Sequence, residues 1–305
     1  MRCFIWLAAL AFVGCSTGEK PSESITISFN PPDSTYFVVE LAMTRETHEG
    51  DQVNKDSTWT QTGHNQVARE GGFELRGVTD SITMFHNNTQ MIDPLVQLFS
   101  RADITYVIDS VGKVVDVIGY EKVFEALDTL VGPDTAAAVR KMVSAESLRG
   151  QEIATWNQKF ALYVGRSLSV GEPEIDSTII NLPIEGQVTL YMLTEVVSVE
   201  SLNSKQGIHL RVSTATDPAE LARLSGHDLD EIVKLFNMAD DIVTRVSQRQ
   251  AGSWSVRDWV IENETMLSHS ETLNQEIFFY ELGQSGIPVR NQMTETNVKS
   301  YTYPE

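Results

Sequence analysis

From Thr35 onward apolar and polar residues alternate. Phe37, Val39, Leu41 and Met43 fall on one side of the chain, with Glu40 and Thr44 on the other, which is the period-two pattern of a half-buried strand. Glu49, Gly50 and Asp51 make a turn, and Thr58–Val67 reads as a polar strand whose one large side chain is Trp59. Gly71 and Gly72 turn the chain again into Phe73 and Leu75. The apolar phase flips between Leu75 and Ile82, which predicts a bulge or bend near Gly77. Ile104, Tyr106 and Ile108 lead through the turn Asp109–Gly112 into Val114–Ile118, completing an antiparallel meander.

Helical spacing follows. Tyr120, Val123, Phe124, Leu127 and Leu130 form one apolar stripe, broken by Gly132, Pro133 and Asp134. Ala136, Val139 and Val143 continue it, and a third stripe, Leu148, Ile153, Trp156, Phe160 and Tyr163, stops at Gly165. Gly171–Gly186, with two prolines, reads as a loop between two halves. Beyond it Val188–Val199 and Ile208–Thr214 read as a hairpin. Leu229, Ile232, Val233 and Phe236 read as a helix opened by His227 and Asp228, and Ile242–Gln248 fits helix or strand equally. Three long strands close the chain over Trp254–Glu262, Leu267–Leu282 and Ile287–Tyr303. The predicted class is α+β, with antiparallel β-meanders in a curved sheet packed on helices. Tyr106–Val114 and Trp259–Leu267 share an aromatic, Val-Ile, acid, turn and aliphatic order. This echo fits either two related halves or a hairpin type that recurs in β-rich chains.

The N-terminus carries a different signal. Arg2 precedes an apolar run, Phe4–Val13, too short to span a bilayer and of the length of a signal-peptide core. The run ends in Phe12, Val13, Gly14 and Cys15, which resembles the lipobox of bacterial lipoproteins, with Phe12 where leucine is usual. That resemblance implies cleavage after Gly14 and acyl chains, palmitate among them, on Cys15; the alternative is an ordinary signal peptide with an incidental cysteine. By the same resemblance Ser16, rather than aspartate, implies the outer membrane, with the leaflet and side left open. The expected organisation is a signal peptide over 1–14, a lipidated N-terminus and flexible tether over 15–30, a β-meander with helices over 31–170, and a β-rich half over 171–305, either separate from the first or one domain with it. Cys3 leaves with the signal and Cys15 carries lipid, so no thiol remains for a disulfide, a metal or catalysis.

Composition narrows the partners. The 305 residues hold 23 basic and 42 acidic side chains, a net charge of −19. Such a surface lacks the clustered cations that nucleic acid requires, and anionic lipid repels it, so an acyl anchor rather than electrostatics would hold it to a membrane.

The central run Ile108-Asp109-Ser110-Val111-Gly112-Lys113-Val114, followed at once by Gly119 and Tyr120, joins the lipobox and the strand at Tyr36–Val39. So do Gly165, Leu168 and Gly171 ahead of Leu182 and Pro183. In this combination the chain resembles an uncharacterised family of secreted β-rich bacterial lipoproteins. The segment after Trp259, with Asn263, Glu264 and Thr265 and no glycine, departs from that pattern. A looser similarity is to half-barrel lipid carriers of the envelope, which implies a curved sheet around helices and an apolar cavity for acyl chains.

Catalytic grammar is sparse. The sequence has no Gly-x-Ser-x-Gly elbow, phosphate loop, dinucleotide fingerprint or His-Glu-x-x-His, and Gly283–Gly286 is one position short of the elbow. Six histidines (His48, His64, His86, His209, His227 and His269) have no i, i+4 pairing, so no metal or other cofactor is expected. His227, Asp228, Asp230 and Glu231 read better as acids complementing a helix dipole than as an acid–base site. Glu172, Glu174 and Asp176 fit either a solvated loop or a Ca²⁺ site. Trp156, Phe160 and Tyr163, and Trp254 and Trp259 on opposite strand faces, fit core packing or a cavity lining. The expected function is a non-enzymatic, lipid-anchored envelope protein that binds a hydrophobic ligand or lipid. The alternatives are a structural or protein-interaction lipoprotein, and a hydrolase with paired carboxylates about 5–9 Å apart.

Overall fold

In the computed structural model, which describes residues 24–100, 102–182, 184–202, 205–238, 249–282 and 288–304, the alternating segments are long antiparallel strands. β1 (Ser24–Thr26) is followed by β2 (Ser34–Glu49), β3 (Gln52–Arg69), β4 (Gly72–His86) and a short β5 (Thr89–Met91). After α1 (Pro94–Ser100) come β6 (Ile104–Asp109) and β7 (Val114–Ile118), then α2 (Tyr120–Val131), α3 (Pro133–Met142) and α4 (Ala145–Trp156). A π-helical turn, Asn157–Ala161, extends α4. The chain continues through β8 (Ser167–Ser169), β9 (Glu174–Leu182), β10 (Gly186–Leu202) and β11 (Lys205–Ala215). Short α5 (Pro218–Ser225) and α6 (Leu229–Leu235) precede β12 (Ala251–Glu262), β13 (Ser268–Leu282) and β14 (Pro288–Thr302).

Twelve strands form one open sheet in the order β7-β6-β4-β3-β2-β14-β13-β12-β11-β10-β9, with β5 beside β4. Its neighbouring strands are antiparallel throughout. β2 pairs with β14, so the strands before and after the central helices belong to a single sheet. The protein is thus β-rich with helices added.

Three readings of the sequence need correction. The segment Gly171–Gly186 is not a loop throughout, because Glu174–Leu182 pairs with β10 as the sheet's edge. Its exposed acids and Ser177 leave no clean alternation, as is usual where one side of a strand has no partner. The phase flip between Leu75 and Ile82 comes from a register shift at Gln61/Thr62, opposite Thr79 and Ser81, so the extra residue is Asp80 rather than Gly77. The tether expected over 15–30 ends early: β1 pairs with β8, and Ile25 and Ile27 are buried. Gly14, Cys15 and Ile242–Gln248 lie outside the described residues.

Helices cover the sheet on both sides. Leu148, Ile153 and Trp156 of α4 pack with Phe37, Leu75, Val114 and Tyr120. Tyr163 packs with Ile208, Leu210 and Trp259. On the opposite face of β10–β12, Leu221 and Ala222 of α5 and Ile232 of α6 pack on Tyr191, Leu193 and Ala215. This double cover explains why Leu193 and Thr194, neighbours pointing to opposite faces, are both buried. Asn157 ties α4 to the sheet rim, its side-chain amide accepting from Val114 N at 2.9 Å and donating to Val114 O at 3.0 Å.

Candidate functional site

Register places the site. Leu41 is paired with Thr60 on β3 and Lys299 on β14, Val39 with Thr62 and Tyr301, and Phe37 with His64. Alternation puts these side chains on one face, where they line a cavity of about 350 Å³ beneath α4 and the π-helical turn. Thr60 and Gln66 both line it, six residues apart on one strand, so the cavity runs about 20 Å along β3 at ~3.3 Å per residue.

Its walls are mainly apolar, with Phe37 central. The Phe37 ring stacks on His64 at 5.0 Å between centroids and leans on Tyr303 at 5.5 Å. Trp156 lies 5.8 Å from Tyr106 and donates from Nε1 to Gly112 O at 3.0 Å. That carbonyl belongs to the β6–β7 turn, which Asp109 holds by accepting from Val111 N and Lys113 N. Gly112 sits there at φ +80°, where a Cβ would also press on the Phe29 ring at 3.0 Å. The Asp-x-x-Gly part of the hairpin motif therefore builds one wall.

Polar groups stand at intervals along these walls. Glu152 accepts from Tyr106 at 3.1 Å and from Tyr120 at 3.2 Å. Burial and this carboxylate raise both phenols above their ordinary range, so both remain donors. Gln66 is 5% exposed and its Nε2 has no hydrogen-bond partner; His64 Nδ1 is likewise unpartnered. Burial, helped by Lys299, lowers His64 to about 4, so its ring is neutral at neutral pH.

A charge cluster bounds the cavity at Lys299. The Glu271 carboxylate, almost fully buried, meets Lys159 Nζ at 2.5 Å, Arg257 Nε at 3.5 Å and Lys299 Nζ at 3.7 Å. Tyr301 also donates to it at 3.4 Å. Burial pushes Glu271 up, but Lys159, Lys299 and Arg257 together hold it below the usual carboxylate range. Burial and the neighbouring Lys299 pull Lys159 down to about 7 against the attraction of Glu271. Lys159 stands in the π-helical turn, a geometry that recurs at functional sites.

The residues singled out by sequence fare differently. Trp156 lines the cavity, whereas Tyr163 and Trp259 are core and lie 6.3 Å apart. Trp254 packs under α5 on the opposite face, beside Arg223. The Phe160 side chain lies outside the described residues. Glu174 pairs with Arg166 and Asp176 accepts from its own neighbour, Ser177 N. Among the described residues no group of three or more potential metal ligands converges, and no helix is long and apolar enough to cross a membrane. Glu152 is the one carboxylate among the described residues that line the cavity. Sequence reasoning missed Glu152, Lys159, Glu271 and Lys299.

His227 joins α6 to the sheet instead. Its Nε2 meets Glu195 of β10 at 2.9 Å and its Nδ1 meets Glu231 at 3.0 Å. Burial acts to lower His227, but the two carboxylates outweigh it and raise the net value. A raised folded value means that this contribution is complete below the unfolded value of about 6.5 and fades as pH rises through the folded one. Between pH 5.5 and 8.5 the parent should therefore lose more stability in urea than His227→Gln does. Parallel losses in the two proteins would exclude the linkage.

The chain matches no known family model and no curated protein. Several solved structures show a faint likeness. A DUF1329 family protein from Desulfovibrio piger is 10% identical over 89% of this chain and 85% of its own, with a TM-score of 0.16. OmpF of Salmonella typhi, solved with daunomycin, is 8% identical over 88% and 97%, with a TM-score of 0.19. The ywiB protein of Bacillus subtilis is 6% identical over 88% and 92%, with a TM-score of 0.11. At such scores these likenesses carry no argument, and any functional reading rests on this chain's own residues.

Proposed function

We propose that this protein is a non-enzymatic lipoprotein, held by acyl chains on Cys15 at the outer membrane, that binds a hydrophobic ligand between α4 and the sheet. The observation that carries the binding role is the 350 Å³ cavity, whose surface is mainly apolar with polar groups at intervals, as in ligand pockets. In this reading the sheet is a half-barrel. Supporting this, Glu152 meets β6 through Tyr106, and Lys159, only about 10 Å further along the helix by rise, meets β13 through Glu271. Those strands are five inter-strand steps apart in the sheet order, about 24 Å along a flat sheet, so bending toward the helix brings them within reach of it.

Two measurements test the reading. Cys15→Ser should move the protein from the membrane to the soluble fraction, and equal retention of parent and variant would refute the anchor. Native mass spectrometry of the soluble protein should show the chain with a bound amphiphile, and a clean chain mass under every condition would refute the binding role.

The interaction reading has one observation in its favour. The two edge strands expose Val115 and Ile118 on β7 and Ile175 and Ile179 on β9, and apolar edges are where another strand adds. Cross-linking in intact cells to one dominant protein partner would favour it.

A further inference from the structure

The cavity's charge is uneven, and that fixes more than ligand hydrophobicity. Around Glu271 one carboxylate faces three cations, Lys159, Arg257 and Lys299. Arg257 Nε is buried and, at 3.5 Å from Glu271, makes no hydrogen bond. The one carboxylate among the described lining residues, Glu152, stands two helical turns from Lys159 and is engaged by two tyrosines. Among the described residues the cluster therefore holds more cations than anions, all three of them partly buried. Of its members, Lys299 both lines the cavity and retains exposure, 29% of its side chain. At the opposite end Gln66 and Leu75 are buried and lie in register with Tyr106, whose hydroxyl donates to the Glu152 carboxylate, so no cation stands there among the described lining residues.

We propose that the ligand is a single-chain amphiphile with an anionic carboxylate head, which docks on Lys299 beside the Glu271 cluster while its alkyl chain runs along β2 and β3 toward Gln66. This rests on the binding role proposed above and adds the class and orientation of the ligand. A second carboxylate at Lys299 brings the count to two anions against three cations, which lessens the surplus. Size favours one chain over two. The volume is near the lower end of small-ligand pockets, and the 20 Å length suits an extended alkyl chain of a dozen or so carbons.

The test uses the soluble Cys15→Ser protein, stripped of bound amphiphile and titrated calorimetrically at pH 7 with dodecanoate, dodecanol and dodecyltrimethylammonium. Dodecanoate should bind about tenfold more tightly than dodecanol, with the cationic amphiphile weakest. Lys299→Gln should weaken dodecanoate about tenfold while leaving dodecanol within about twofold, and Lys299→Arg should keep the preference. Leu41→Trp, which fills the channel beneath the chain, should weaken both dodecanoate and dodecanol. Equal affinities for carboxylate and alcohol would overturn the head-group assignment alone. A preference abolished by Gln66→Leu and untouched by Lys299→Gln would overturn the orientation. No binding of any of the three would overturn the cavity reading itself.

Discussion

Replacing Glu271 with glutamine is expected to destabilise the fold by about 3–5 kcal/mol at pH 6, because it removes a buried anion from among three partly buried cations. Glu271 is 3% exposed, and Lys159, Arg257 and Lys299 approach it from the π-helical turn, β12 and β14. With the carboxylate gone, these cations repel one another in a poorly solvated place. Lys159 is the group able to yield, since its folded value already lies near 7, well under the ordinary lysine range. Losing the attraction of Glu271 lowers it further. A lysine depressed in the folded state contributes stability that is complete above its unfolded value, about 10.4, and lost as pH falls through the folded value. The deficit of the variant should therefore grow as pH drops below about 7 and be smaller and level at pH 9. Urea unfolding of parent and variant at pH 6 and pH 9 measures it. A deficit under about 1 kcal/mol at both values, or one larger at pH 9, would show that Glu271 does not neutralise the cluster.

Much of the scaffold is readable from local pattern. β2 is legible because Phe37, Val39 and Leu41 alternate strictly, and α2 because Tyr120, Val123 and Leu127 share one stripe and are buried together. Even the Asp80 bulge leaves its trace in the apolar phase. What is illegible depends on pairing at a distance. Lys299 comes to the cavity because the last strand pairs with the first long one, and no local period encodes that Lys299 faces Leu41. Glu271 reaches it through the next pairing, and Lys159 through a π-helical turn that rotates side chains away from the α-helical positions a 3.6-residue stripe predicts. One signal was present in plain view. Thr60, Thr62, His64 and Gln66 make a polar row at period two, ordinarily a solvent-facing pattern, yet Gln66 is buried and the row lines the cavity. A polar row opposite an apolar one on the neighbouring strand is what a ligand channel needs and what a dry core does not.

Trp259→Ala should cost about 3–5 kcal/mol and weaken ligand binding as well. Trp259 is fully buried, between Leu210 on β11 and Glu271 on β13 in register, and packs against Tyr163. Truncation removes a large apolar surface and leaves a void, because β11 and β13 are fixed by their own pairings and can close the gap only in part. It also removes the Nε1 donor that holds Ser268 Oγ at 2.9 Å. Ser268 lines the cavity, and its carbonyl accepts from Tyr303 at 2.7 Å. The indole thus fixes a wall it does not itself form, and losing it should loosen the contact between Tyr303 and Phe37. Trp259→Phe separates the two effects: it keeps most of the volume but not the donor, and should cost roughly 1–3 kcal/mol. Urea unfolding gives the stability terms, and dodecanoate titration of the folded variants gives the coupling to the cavity. If the alanine variant is no less stable than the phenylalanine one, the neighbouring strands close the void, and the rigid support inferred for this wall is wrong.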